Sequence, residues 1–305
     1  MEKRQVSPDE VRQILSDHDL WVKTNHESGQ QADFTNCDLR GFDFCSPNEI
    51  HPFHSIIFRG ADLSGVSMER LHFKDCDFTG AKMNQAAILK VCFENCDLSK
   101  ANLSLARIST TLMLDNQFYE TRFSKSKFIA CEFEGNAFHK ASLDNIDTVK
   151  QCKMSGNRFF DMNPVYANLS DTEFFDNKFS HVAFMQCVFD HSRFKRCQFI
   201  QSGFLDSYVE KCRFEQTEMQ NRFMQVQIMP PQRDTVHITC DLGLRTIMSR
   251  DLFKDEKVSM RLDDFIKGIS AERDMDRAVK EFLITLGKTF QEACNNYKKN
   301  NDHIR

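Results

Sequence analysis

The sequence predicts a mainly β chain built around a four-sided β-helix of about nine coils. Three observations predict it. From Phe58 to Leu143 a Phe, Leu, Met or Ile stands at every fifth place without a miss. The residue two before each of these centres is small, as at Ala61, Cys76, Ala81, Ala86, Cys96 and Ala101. Asn fills that small slot at 116, 136, 157 and 177, one twenty-residue coil apart once a single-residue slip within 144–153 is allowed for. A period of five is neither the helical 3.6 nor the strand 2.

The elements follow in chain order. Residues 1–31 form a lead-in with one helix. Ser7 is its N-cap, Pro8 its first residue and Glu10 the third, a good helix start. Val11, Ile14, Leu15 and Trp21 give it an apolar face that covers the first coil. Such a cover is needed, because a stacked sheet leaves strand edges that invite aggregation.

Residues 32–229 carry the repeat. Phe34, Leu39 and Phe44 sit in an earlier phase, and after Leu143 the frame resumes at Met154 and Phe159. Pro164 takes the next centre, and the frame then runs from Leu169 through Phe174, Phe194 and Phe214 to Met224. Each unit thus offers one large and one small inward residue and three outward polar ones. A single unit cannot bury its own apolar side chain, so units must stack. Small, any, large suits a short extended edge with two inward side chains one pleat apart, and each edge must then turn a corner. Four edges close a square coil of twenty residues. Stacked Asn can hydrogen-bond up their column, as in Asn ladders. Cys76 and Cys96 precede them and Cys197 follows. Two interruptions are expected, at 45–57 and 144–167, and loops on rigid frames often carry function. The first holds Cys45, Glu49, His51 and His54, which could bind metal but match no recognised spacing; a solvated insertion is the plainer reading.

Residues 230–305, after Met229-Pro230-Pro231, lose the period. The segments 240–253 and 259–270 read as short helices. Residues 271–299 read as a longer one, with Met275, Val279, Phe282, Leu283, Leu286, Phe290, Ala293 and Tyr297 on one face. That stripe has two readings: a cap on the last coil, or a face for a second copy or another partner.

Most of the twelve cysteines, among them Cys37, Cys131, Cys152, Cys187 and Cys212, occupy the small inward slot. There a thiol acts as a small hydrophobe, and neither a disulfide nor a metal framework is expected. So many free thiols imply a reducing compartment, the cytoplasm. No secretory leader and no membrane-length apolar run is read in the chain. A net charge of −4 does not point to nucleic acid.

The units "ADLSG" at 61–65 and "ANLSL" at 101–105 resemble the pentapeptide-repeat family over about 32–229. The resemblance implies a right-handed quadrilateral β-helix, which at the spacing of neighbouring strands would be roughly 45 Å long. "FKDCDF" and "CDLSKANL" resemble its quinolone-resistance members, which implies mimicry of duplex DNA and binding to gyrase. Acidic and basic residues are nearly balanced over 32–229, however, and mixed charge should cancel the one-signed field that mimicry needs. A looser resemblance over 32–100 is to the β-helix of translocated enteric effectors, which implies action in a host cytosol.

No enzyme constellation is present: no Walker A, no G-x-G-x-x-G after a strand, no G-x-S-x-G and no H-E-x-x-H. Asp62, Asp77 and Asp97 recur because the repeat wants a small polar residue before its centre, and Cys294 lacks a matching His. No catalytic, cofactor or metal residue is assigned, and binding residues are left open. The expected function is a non-catalytic protein-interaction role, with gyrase binding or an effector role as alternatives.

Overall fold

Every fifth residue turns a corner. The residue two after each centre adopts left-handed backbone, from φ 55° at Asp75 and 61° at Gln85 through 59° at Lys100 to 63° at Leu105. For a side chain larger than glycine this costs about 1–2 kcal/mol per residue, so the packing around it must impose it. Between corners run three-residue strands. The computed structural model describes residues 3–45 and 51–200, and beyond them 202–205, 207–210, 212–219, 223–228, 236–241, 246–250, 257–271 and 277–301. The chain forms two compact units, Met1–Thr148 and Val149–Arg305, and each contains coils of a parallel β-solenoid.

In the first unit the four sides pair in register with a step of twenty. Face 1 holds Phe58, Phe78, Leu98, Phe118 and Phe138; its pairs run Ile57 to Asp77 to Asp97 to Gln117 to Ala137. Face 2 holds Leu63, Met83, Leu103, Phe123 and Leu143, with pairs from Asp62 through Lys82, Asn102 and Arg122 to Ser142. Face 3 stacks Met68, Ile88, Ile108 and Phe128. Face 4 stacks Phe53, Phe73, Phe93, Met113 and Phe133. The second unit repeats the scheme. Met154, Phe174, Phe194 and Phe214 stand in register on one side, and Phe159, Phe179, Phe199 and Met219 on another.

The interior is strongly aromatic. Along a column the rings stack nearly parallel, as at Phe58–Phe78 (4.8 Å, 9°) and Phe174–Phe194 (4.6 Å, 2°). Between columns they meet edge to face, as at Phe73–Phe78 and Phe184–Phe189. Both geometries suit the ring quadrupole.

The small slot does more than save space. The carbonyl of a centre in the preceding coil accepts from the slot residue twenty-three positions on: Asn116 Nδ2 donates to Phe93 O at 2.9 Å, Thr121 Oγ1 to Leu98 O at 2.7 Å, and Cys96 Sγ to Phe73 O at 3.4 Å. After faces 1 and 2 the centre carbonyl also takes a turn bond, as when Ala81 N donates to Phe78 O at 2.9 Å, and Ala suffices in the slot that makes that bond. After face 4 the carbonyl is met by a side chain, which is why that column reads Cys76, Cys96, Asn116, Asn136. The Asn expectation holds within each unit. Asn116 donates from its backbone (2.8 Å) and its amide (3.1 Å) to Asn136 Oδ1, and Asn157 does the same to Asn177 Oδ1.

Both interruptions are smaller than the sequence suggested. Residues 51–54 already pair with Leu71–Lys74, and Phe53 is a face-4 centre, so the first insertion amounts to the extra length between Phe44 and Phe53. Glu49 lies outside the described residues. The slip lies between the buried Ile146 and the buried Val149, one residue further apart than the frame requires. Pro164 does not break the coil: it occupies a buried centre, and its carbonyl accepts from Met185 N at 2.8 Å.

The ends divide the expectations. Helix α1, Pro8–Lys23, starts as read, with Ser7 Oγ accepting from Glu10 N at 3.2 Å. At the other end the described residues of 240–253, 240–241 and 246–250, are strand and not helix. Strands Phe223–Ile228, Val236–Asp241, Thr246–Arg250 and Lys257–Arg261 form an antiparallel meander, joined to the solenoid where Gln227 pairs in parallel with Tyr208. Two helices follow, α2 at Leu262–Ala271 and α3 at Arg277–Asn301. Helix α3 packs on 213–215 and 218–219 at the last coil, the cap reading. Its Leu283, Leu286 and Phe290 are buried, and a side chain at Gly287 would collide with Ile266 of α2.

Two variants test this packing. Phe194→Asp replaces a fully buried ring with a charge and should cost at least about 3–5 kcal/mol in urea unfolding, the cost of truncation alone. Asn136→Leu keeps the branched shape but strips acceptor Oδ1 from Asn116 and donor Nδ2 from Met113 O; it should cost about 2–6 kcal/mol, at about 1–3 per orphaned group, more than the modest size change alone.

Candidate interaction surface

The residues that could carry chemistry hold the coil together. Asp77 Oδ1 accepts from Thr79 N at 2.8 Å, Asp97 Oδ1 from Ser99 N at 2.9 Å, and Asp62 Oδ1 from Ser64 Oγ at 2.6 Å. These are Asx turns that bring the chain into its corner. None of the twelve cysteines is in a disulfide, and only Cys45 and Cys92 are partly exposed. Burial pushes Cys92 and Cys197 up to about 11, and burial with the Asp43 carboxylate beside it does the same to Cys45, so these thiols stay protonated at neutral pH. Cys294 is buried in α3. Among the described residues no group of His, Cys, Asp and Glu could hold a metal ion. Of the candidates in 45–57, His54 serves through its backbone, and the His51 side chain lies outside the described ones.

The first loop meets α1 through a buried histidine that sequence reasoning passed over. His18 Nε2 donates to His54 O at 2.7 Å, and its Nδ1 accepts from Ala32 N at 3.2 Å. A backbone N–H can only be accepted by an unprotonated nitrogen, so the ring is neutral with its proton on Nε2. Burial is the main cause that lowers its pKa; the His54 carbonyl and Asp19 pull the other way, and the His54 ring adds to the lowering.

What remains free is the outer surface, and its charge is sorted. Over 66–143, faces 4 and 1 carry Asp75, Asp77, Glu94, Asp97, Asp115, Glu132 and Glu134, against Lys74, which is bound to Glu94 at 2.6 Å. Faces 2 and 3 carry Lys82, Lys90, Arg107, Arg122, Lys125 and Lys127, with Arg70 beside the one acid, Glu69. The corner between faces 1 and 2 alternates Lys100, Glu120 and Lys140. The balance read from composition therefore hides an acidic half and a basic half. In the second unit Phe175 lies under a cationic cluster, with Arg193, Lys195 and Arg196 all within 6 Å of its ring.

The same coils, residues 66–143, match a family model described as a pentapeptide repeat region. This stretch is a pentapeptide-repeat solenoid. Among solved structures the chain is similar to full-length QnrB1, a plasmid-mediated fluoroquinolone resistance protein, at 17% identity over 56% of this chain and 94% of that one, with a TM-score of 0.32. It is also similar to HetL, involved in heterocyst differentiation regulation in the cyanobacterium Nostoc sp. strain PCC 7120 (12%, 56% and 86%, TM-score 0.28). A third is Rfr23 from the cyanobacterium Cyanothece 51142 (11%, 48% and 95%, TM-score 0.24). No curated protein matches the sequence. No helix among the described residues is long and apolar enough to cross a membrane.

The histidine gives a signed pH dependence. A base whose folded pKa is lowered stabilises the fold above its unfolded pKa, about 6.5, and that contribution is lost as pH falls below it. Unfolding of the wild type between pH 7 and 5 should lose up to about 1.4 kcal/mol per pH unit that His18→Gln does not lose.

Proposed function

We propose that this protein is a non-catalytic interaction protein that presents the sorted outer faces of its first unit to a protein partner. One observation carries the reading: the carboxylates, thiols and amides that might do chemistry are engaged in holding corners and carbonyls, while the charges left outside are segregated by face. Segregated charge steers a partner and fixes its orientation more than it adds affinity. The apolar face of α3, the other candidate, is buried within the chain at Leu283, Leu286 and Phe290, so the reading places the partner on the solenoid. Paired variants test it. A lysate capture that yields a defined partner with wild type should lose it with Asp115→Lys plus Glu134→Lys, both exposed and outward. Recovery of the same partner by the variant would falsify the placement.

The acidic half of faces 4 and 1 favours a second reading, a topoisomerase-binding protein of the quinolone-resistance kind. That half reaches across the coils of residues 75–134, about three strand spacings or roughly 14–15 Å. The basic half lies on the opposite sides of the same coil, roughly one or two Debye lengths away at physiological salt. We therefore expect gyrase supercoiling, with and without a quinolone, to be unchanged by micromolar protein. Inhibition or protection that Glu132→Lys plus Glu134→Lys abolishes would promote this second reading over the first.

A further inference from the structure

The corner between faces 3 and 4 of the first unit differs from the others. Apolar outward residues recur along it: Leu89 and Ile129 close face 3 on either side of Ser109, and Cys92 and Leu112 open face 4 between His72 and Glu132. Leu112 and Ile129 are 39% and 43% exposed. On the corner line itself stand Arg70, Lys90, Thr110 and Ala130, each in left-handed backbone, with Arg70 bound to Glu69. The flanks carry opposite charge. Arg107 and Lys127, the latter also within 2.8 Å of Asp147 on the next level, lie on the face-3 side, and Asp115, Glu132 and Glu134 on the face-4 side.

We infer that this corner is the contact surface for a second copy of the chain, with the two solenoids side by side and pointing the same way. An apolar seam with a basic rim on one flank and an acidic rim on the other is complementary to itself under one kind of two-fold axis. An axis parallel to the coil axis places face 3 of one copy against face 4 of the other at the same height. Lys127 then meets Glu132 and Glu134 of its own coil level, and Arg107 meets the level of Leu114 and Asp115. An axis across the coils places face 3 on face 3 and sets base against base. The charges thus select the parallel pair, and isologous contacts of this kind are the commonest route to a dimer. The small side chains of Thr110 and Ala130 let the corners approach. Lys90, on the same line, meets its own copy, and this like charge limits the contact. The seam is short beside the roughly 800 Å² per partner of a standard interface, so the dimer is weak and salt-sensitive. The contact uses neither α3 nor the last coil.

Sedimentation of the full chain at about 100 μM tests it, at low salt and at about 0.5 M salt. Association that salt weakens is expected. Lys127→Glu and Glu134→Lys should each weaken it at least about tenfold, the double reversal should restore it, and Lys90→Ser should strengthen it. Orientation is read by cross-linking: Thr110→Cys and Ala130→Cys should each link to its own copy in a parallel pair, while an antiparallel pair can link at no more than one. A monomer at every concentration, a dimer indifferent to the charge reversals, or a double reversal no better than the singles would overturn the proposal.

Discussion

The structure depends on one constraint: within each unit a residue must lie beside the residue twenty positions on. Backbone pairing imposes it, with Phe78 N on Asp97 O at 2.8 Å and Asp97 N on Cys76 O at 3.0 Å, and every side chain inherits it. Like therefore stacks on like. For phenylalanine this is favourable, since stacked rings bury large areas and keep the geometry their quadrupoles prefer. For asparagine it is favourable too, because an amide carries both a donor and an acceptor and can bond its own copy above. For cysteine it is tolerable, because a protonated thiol is small and finds a carbonyl. A carboxylate inside would stack on nothing that could neutralise it, and none is found at an inward slot among the described residues.

The same constraint explains what the sequence showed and what it hid. The frame of large residues, the small slots and the twenty-residue Asn spacing are one-dimensional shadows of the pairing, so the coil was legible from Phe58 onward. The left-handed corners were not. Leu105, Lys100 and Thr110 carry no glycine to announce positive φ, because stacking, not local preference, sets their backbone. The sorting of charge was hidden for a related reason. Totals over 32–229 balance, and only the assignment of each residue to a face separates Asp97 from Lys82. At the C-terminus the short apolar segments around Ile247 and Val258 fit a strand as well as a helix, and their partners lie on other strands of the meander, which no local pattern reveals.

The ends show how a repeat of this kind is stopped. At the first coil the chain supplies a short parallel pair, Arg4–Gln5 with Cys37–Asp38, and lays α1 over what remains. The His18 ring ties that helix down by bonding two backbone groups of the coil at once, which a shorter or purely apolar side chain could not do. At the last coil the solution differs. Parallel pairing passes at Gln227 into an antiparallel meander, and α2 and α3 close over it. Antiparallel strands can be joined by short turns, so the edge is consumed without another full coil.

Outward charge is where the constraint leaves a choice. A ladder of identical charges at about 4.8 Å spacing would repel itself. The chain meets this in two ways. In places it alternates sign up the column, as Lys74 with Glu94 at 2.6 Å and Arg196 with Asp176 at 2.6 Å. Such exposed pairs add little stability each. Elsewhere it tolerates a run of one sign along a face and balances it with the opposite sign on the far side of the same coil. That second arrangement does nothing for the fold that alternation would not do better. A sequence free to alternate, as these columns show it can, is instead sorted by face over 66–143, and the fold alone does not require that sorting; the proposed binding role would.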